Sequence, residues 1–456
     1  RQVARKALLN QSAKLSEQKD LAAAWALLEK ENFANAPAED RVLLLKNKLV
    51  LAEKLGHYPQ ARLISDELLA QPNLNAEDQQ YALSRKAWLS ELVLDFDGAL
   101  TATQKMKAND LPPDQRLLKL AMYADLASKD ARSFYTQYLK VSKDSASRVA
   151  IASQLVKSSS TPLKEIEVQR AVLAENPEVL GQLYLELFGQ TRDAGILKKA
   201  LATPAVVKSK SGALLQRQDF LARYEVLKKN IAAQSIDASN MKKMAAGLKA
   251  RVATLNEGDK LANQVIAAGD WTSQVAVFTL LANENERFYQ EIMGLPLPQG
   301  LSPEEENEYM QALSQQSAPH QTKANDLKAK LAEFWGQADA IPQLEKSLDL
   351  AAAEVRPLIK SEIELLSGLA PEDKKAQLAA VANKPTAIVA EKPSVQVLEG
   401  AKAAVRADPM NRQSLNNLLE LEQKWGRPAM VSYLKGRIES LSSGLGDGKS
   451  ETSSKN

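Results

Sequence analysis

Two histidines and no cysteine bound the chemistry open to this 456-residue chain. Without cysteine there is no disulfide, no thiolate metal ligand and no thiol nucleophile. His57 stands in "GHYPQA" and His320 in "SQQSAPHQTK". Neither has a second histidine nearby, so a histidine-based metal site needs both imidazoles brought together by the fold. Each reads better as a structural or solvated side chain. A Ser-His-Asp arrangement has no Gly-x-Ser-x-Gly turn to present its nucleophile. "GLGDG", 444–448, follows no strand and opens no helix, so it reads as linker and not as a phosphate cradle. The acids of "PEEENEYM", 303–310, follow a proline, and acids in a first turn suit the positive end of a helix dipole. "MKKMAAGLKAR", 241–251, is amphipathic: a solvated face first, a partner or lipid surface second. These residues predict no catalytic centre, no cofactor and no metal.

Composition says what must position the side chains. Hydrophobic residues are 45% and charged residues 25%, usual for a globular chain. Gly and Pro number 19 each, few for an all-β chain that turns every ten residues or so. Ala, Leu, Lys, Glu and Gln are abundant, and all are good helix formers. The 59 basic and 56 acidic residues leave a net charge of +3, which predicts no nucleic-acid footprint. No apolar run reaches the ~18 residues of a membrane-spanning helix. The first residue is Arg, which suggests a processed or trimmed chain.

The sequence repeats internally. "VLLLKNKLVLAEKLGHYPQA", 42–61, slid by 38 positions, falls on "QYALSRKAWLSELVLDFDGA", 80–99. Leu45 meets Leu83, Lys48 meets Lys86, Leu51 meets Leu89, Glu53 meets Glu91, Tyr58 meets Phe96 and Ala61 meets Ala99. Sliding back by 37 puts Ala24 in the Ala61 slot. Each unit reads as helix, tight turn, helix. Gly56 is placed to adopt the left-handed conformation that ends the first helix. Tyr58 should plug the gap between the two helices, Ala61 should mark their closest crossing, and Pro72 should help end the second. In the third unit Leu94 replaces the glycine. Fainter echoes follow at 189–204, 269–278, 334–341 and 424–431. Asp114, Ser145, Thr161-Pro162 and Ser302-Pro303 read as helix starts. No strand alternation is convincing, and "TAIVAE", 386–391, comes nearest.

The Gly-x-aromatic-x-x-Ala turn with a later Pro resembles the tetratricopeptide repeat, best over residues 5–72 and 80–113. The resemblance implies an all-α fold, an α-solenoid or superhelix of antiparallel helix hairpins. The expected organisation is tetratricopeptide-like repeats over 1–140, degenerate hairpins over 141–295, a C-terminal helical section over 296–441 and a disordered tail over 442–456. Breaks are expected at 293–303 and 383–394. Such arrays bind partners in the groove lined by their first helices. Lys46, Ser84, Val50 and Trp88 fill those positions here, and Lys46 alone suits a clamp for a terminal carboxylate. The five tryptophans read mainly as inter-helix core, with Trp88 also a groove anchor.

The resulting expectation is a non-enzymatic scaffold for protein partners, with Trp88, Lys46, Glu53 and Glu91 as candidate groove contacts. A bacterial cell-envelope assembly suits the composition, with a lean to the periplasm over the cytoplasm. The alternative is the helical superstructure of an enzyme such as a murein lytic transglycosylase, its catalytic domain lying outside this chain.

Overall fold

The computed structural model describes residues 2–33, 35–108, 111–237, 239–298, 300–384 and 392–442. Among these residues there are 24 helices and no strand, so the chain is all-α as expected. It divides into two compact units. Unit 1 joins residues 1–144 to 388–456, and unit 2 is 145–387.

Unit 1 opens with eight helices: α1 (Gln2–Glu17), α2 (Leu21–Leu28), α3 (Ala38–Lys54), α4 (Tyr58–Leu69), α5 (Ala76–Leu92), α6 (Phe96–Lys105), α7 (Pro113–Leu126) and α8 (Arg132–Val141). Each packs on the next in sequence. The odd-numbered helices α3, α5 and α7 begin at residues 38, 76 and 113, and the even-numbered ones at 21, 58, 96 and 132. This is the period of the sequence.

The cause of the regularity is the turn inside each pair. Lys19, Gly56, Leu94 and Ser128 all hold positive φ, at 63°, 75°, 59° and 58°. After each, the next N–H reaches back five residues: Asp20 to the Leu15 carbonyl at 2.9 Å, His57 to Ala52 at 2.8 Å, Asp95 to Ser90 at 2.8 Å, Lys129 to Ala124 at 2.7 Å. That bond satisfies a carbonyl left free at the helix end. Only Gly56 lacks the Cβ that makes this conformation costly, by ~1–2 kcal/mol per residue. Leu94 is buried, and that burial offsets its strain.

Ala24, Ala61 and Ala99, each five residues after a turn, are fully buried. A methyl is all that fits where the paired helices cross. Around them Leu28, Leu44, Leu49, Leu68 and Leu89 form the core, with Tyr58 and Trp88 packed at its edge. Lys48 and Lys86, unusual for the repeat they resemble, have local partners. Lys48 Nζ donates to the carbonyls of Glu29 (3.0 Å) and Glu31 (2.5 Å) just past α2, and Lys86 pairs with Asp66.

Unit 2 holds α9 (Ser145–Lys157), α10 (Pro162–Val168), α11 (Arg170–Leu173), α12 (Pro177–Thr191), α13 (Ala194–Leu201), α14 (Pro204–Val207), α15 (Lys210–Ala232), α16 (Met241–Ala268), α17 (Trp271–Met293), α18 (Pro303–Gly336), α19 (Ala340–Leu350), α20 (Arg356–Leu369) and α21 (Glu372–Ala382). Ser145, Pro162 and Pro303 open helices as the sequence suggested. At α18 the Ser302 hydroxyl accepts from Glu305 N–H (3.3 Å) while the Glu305 carboxylate accepts from Ser302 N–H (2.8 Å). This reciprocal cap explains Glu305, and the helix dipole favours Glu304 and Glu306 beside it. Helix α17 ends at Met293 and α18 begins at Pro303, both within unit 2. Gly189, whose spacing echoes the unit 1 turn, does a different job. The left-handed residue there is Arg192, and a Cβ on Gly189 would lie 2.1 Å from the Glu354 carbonyl oxygen. The glycine lets backbone meet backbone.

Unit 1 resumes with α22 (Val395–Ala407), α23 (Arg412–Trp425) and α24 (Pro428–Ser442). Tyr433 of α24 donates its hydroxyl to the Glu91 carbonyl (3.0 Å) and sets its ring edge-on to Phe96 at 5.2 Å. Ser442 is the last residue of α24. The rest of the expected tail, including "GLGDG", and the strand candidate "TAIVAE" lie outside the described residues.

Candidate functional site

The left-handed turns give a common ruler for the first helices of unit 1. Seven residues before each turn stand Ser12, Leu49, Ala87 and Ala121, and all four are buried. Six residues before each turn stand Ala13, Val50, Trp88 and Met122, and all four are accessible. Ala13 is exposed, Val50 is 37% exposed, and Trp88 and Met122 are half-buried. One row of apolar side chains thus recurs on α1, α3, α5 and α7 beside the row that enters the core.

Polar ties join neighbouring first helices. Arg5 of α1 pairs with Asp40 of α3 at 2.9 Å. Lys46 of α3 pairs with Asp78 of α5 at 2.5 Å, its ammonium 5.4 Å from the Tyr81 ring centre. Glu53 of α3 takes two bonds from the Arg85 guanidinium, one at 2.7 Å from Nε. Arg85 also lies over Trp88, 4.5 Å from the ring centre, and Trp88 meets Tyr58 edge-on at 5.9 Å. Burial pushes the Glu53 carboxyl above its ordinary range, and the bond from Arg85 opposes that rise. Glu91 of α5 accepts from the Tyr123 hydroxyl of α7. Burial, and then the Glu91 charge, hold the Tyr123 hydroxyl well above a normal phenol.

Three of the four expected contacts, Lys46, Glu53 and Trp88, therefore meet on the α3–α5 face. Glu91 lies at the α5 end, where α7 and α24 also arrive. All three charged candidates are ligands of their neighbours, so what they contribute is a fixed frame around the apolar row. Lys46, bound by Asp78 at 2.5 Å, does not present a free ammonium for a carboxylate clamp. Asp78, Tyr81, Arg85, Tyr123 and Met122 were not singled out from the sequence. Met122 becomes visible only when counted from the Ser128 turn, which carries no glycine to mark it.

No protein-family model matches this chain, and no curated protein is significantly similar to it.

Elsewhere the side chains offer structural chemistry. His57 is exposed and lies edge-on to Trp25 at 5.8 Å. His320 of α18 is bonded through Nδ1 to Asn285 at 2.8 Å and packs on Phe288 at 4.6 Å. No group of three or more His, Asp or Glu able to hold a metal occurs among the described residues. An open cleft of about 440 Å³ lies between the Phe334–Trp335 end of α18, α19 and α21. Its Lys384 is tied to Glu345 (2.9 Å) and Asp349 (2.6 Å), which leaves that amine protonated and paired. Among the described residues, no helix is long and apolar enough to cross a membrane.

Proposed function

We propose that the chain is a non-enzymatic interaction scaffold of the tetratricopeptide-like kind. Its partners bind along the face formed by α1, α3, α5 and α7, which would be the concave groove of an α-solenoid. One observation carries the reading: the accessible apolar row Ala13, Val50, Trp88 and Met122, repeated at one fixed distance from each turn. An apolar side chain left accessible once is ordinary; the same slot left apolar and accessible in four alternate helices is a surface. Inter-helix ion pairs border the row and hold the first helices in place, so little side-chain entropy is lost on binding. A protein partner supplying apolar anchors at matching intervals fits this surface. A role in a bacterial cell-envelope assembly belongs to the same proposal.

The test is a peptide library panned on the full chain. Enriched peptides should lose at least tenfold in affinity to Val50→Asp and Met122→Asp, about 1.4 kcal/mol or more. They should bind Leu63→Asp normally, because Leu63 is 53% exposed on α4, a second helix. Equal losses at all three positions, or no enrichment, would refute the groove.

A further inference from the structure

The near-balanced total charge hides a local excess. Between residues 226 and 250 there are five lysines, Lys228, Lys229, Lys242, Lys243 and Lys249, against one carboxylate, Asp237. That net +4 exceeds the +3 of the whole chain, so the remainder sums to −1. The five lie around the tip of the α15–α16 hairpin in unit 2. Lys228 and Lys229 are in the last turns of α15, Lys242 and Lys243 in the first turn of α16, and Lys249 two turns on. All five are exposed. Lys243 meets Asp237 at 3.2 Å. Among the described residues, no carboxylate lies within ion-pair distance of the other four.

Two further features set this tip apart. Lysines at the start of α16 oppose the helix dipole, whose N-terminal end favours acids. Helices α3, α5, α7, α12, α18 and α21 place acids there; α8, α15, α20 and α23 open on one cation and no acid, and α16 carries two lysines and no acid. The solvent side of the hairpin is also apolar between its lysines. On α16 the exposed stripe reads Lys242, Ala245, Ala246, Lys249, Val252, Ala253, and on α15 it reads Ala222, Val226, Lys229, Ala233. Val226 is 61% exposed and Val252 40%. On α15 the exposed Glu225 lies one turn before Lys228 and Lys229, whereas the start of α16 carries no acid before Glu257 to alternate with its lysines. A cluster of exposed cations is drawn to an anionic lipid surface, and exposed apolar side chains beside it add buried area to that attraction. No aromatic residue lies between 226 and 250 to stack on a nucleobase.

We propose that the tip of the α15–α16 hairpin docks on an anionic phospholipid surface. The lysines meet the headgroup phosphates, and Val226 and Val252 enter the headgroup boundary. This surface is separate from the apolar row of unit 1 and does not depend on it.

The experiment is vesicle sedimentation of the full chain on phosphatidylcholine, with and without phosphatidylglycerol, at low and high salt. Binding should require phosphatidylglycerol and fall with salt. Each of Lys228→Gln, Lys229→Gln, Lys242→Gln and Lys249→Gln should weaken it about fivefold, the loss expected of one lysine at a charged surface. The four changes combined should weaken it by roughly two to three orders of magnitude. A quadruple variant of exposed unit 1 lysines, Lys6, Lys14, Lys30 and Lys54 to Gln, changes the total charge equally and should leave binding within twofold. Circular dichroism confirms that both quadruple variants are folded. Four results would overturn the proposal: no vesicle binding, equal binding to neutral vesicles, equal weakening by the two quadruple variants, or tighter binding to duplex DNA or polyglutamate than to the anionic vesicles at one salt concentration.

Discussion

The repeated helices α1 to α8 of unit 1 and the long helices of unit 2 handle charge in opposite ways. In α1 to α8 the charged residues sit at the borders of first helices: Lys46 with Asp78, Glu53 with Arg85, Arg5 with Asp40. The one fully buried carboxylate of unit 1 among the described residues, Glu422 of α23 held by Arg427, lies outside them. The core of these helices is built of leucines with aromatics such as Trp25 and Phe96, and its closest crossings are alanines. In unit 2 charge enters the core. Arg251 is fully buried against Glu284, and its Nη2 donates to the Gln234 carbonyl at 3.1 Å. Arg217 bridges Asp270 (2.7 Å) and Glu362 (2.9 Å), joining α15 to α17 and α20. The helices differ to match. Those of unit 1 from α2 to α8 run 8 to 17 residues, while α15 to α18 run 23, 28, 23 and 34. Short helices with one repeated turn give equal slots, and equal slots give a surface. Long helices pinned by buried ion pairs give one specific packing and no repeated face.

The contrast breaks most sharply at Arg251. Arg251→Met leaves the buried Glu284 carboxylate with Arg287 alone, at 3.5 Å, and should cost unit 2 about 3 kcal/mol, the low end for a broken buried pair. Hydrogen exchange should accelerate across 210–292 and stay unchanged across 38–105. Arg251→Met with Glu284→Leu should recover much of the loss; a single variant as stable as the parent would remove the buried pair from the account.

Next in size is the alanine wedge. Ala61→Leu overfills the α3–α4 crossing and should cost about 1–3 kcal/mol in urea unfolding. A neutral result would mean the crossing has slack, and the slots would lose their common spacing.

The turns come third. Lys19→Gly and Ser128→Gly each relieve a left-handed residue that is exposed, and each should stabilise the chain by about 1 kcal/mol. Gly56→Ala should destabilise by a similar amount. Leu94→Gly should gain nothing, because it trades strain for lost burial.

The smallest effect is the pH response of His320 in unit 2. Burial, and then the charge of Lys323, lower its pKa in the folded chain, with Asp259 opposing them. The unfolded imidazole, near 6.5, therefore takes its proton first. The stabilisation is complete above that pH and fades as pH falls through the folded value. His320→Gln should flatten this part of the unfolding profile below pH ~6.5. An unchanged profile would assign the acid response to carboxylates alone.

How far these features were legible follows from which signals are local. The period of α3 to α6, the buried Ala24, Ala61 and Ala99, and the helix starts at Ser145, Pro162 and Pro303 are written in spacing and caps. The turns at Lys19, Leu94 and Ser128 are not, since packing forces the left-handed conformation on residues that do not prefer it. That hid Met122 and the common ruler. The partners of Lys46, Glu53 and Glu91 lie 32 residues away on other helices, so their engagement needed the fold. Gly189 was misplaced because glycine marks close backbone approach as readily as a turn. The ion pairs of Arg251 and Arg217 left no sequence signal, as an arginine on a helix looks solvated until its neighbours are placed.

The central claim is that the apolar row on the first helices of unit 1 is the binding surface. Hydrogen exchange of the full chain, with and without a saturating library-selected peptide, tests it most directly. The account predicts added protection in α3, α5 and α7, centred on Val50, Trp88 and Met122, and none in α4 and α6. Protection confined to α4 and α6, or to unit 2, would contradict it.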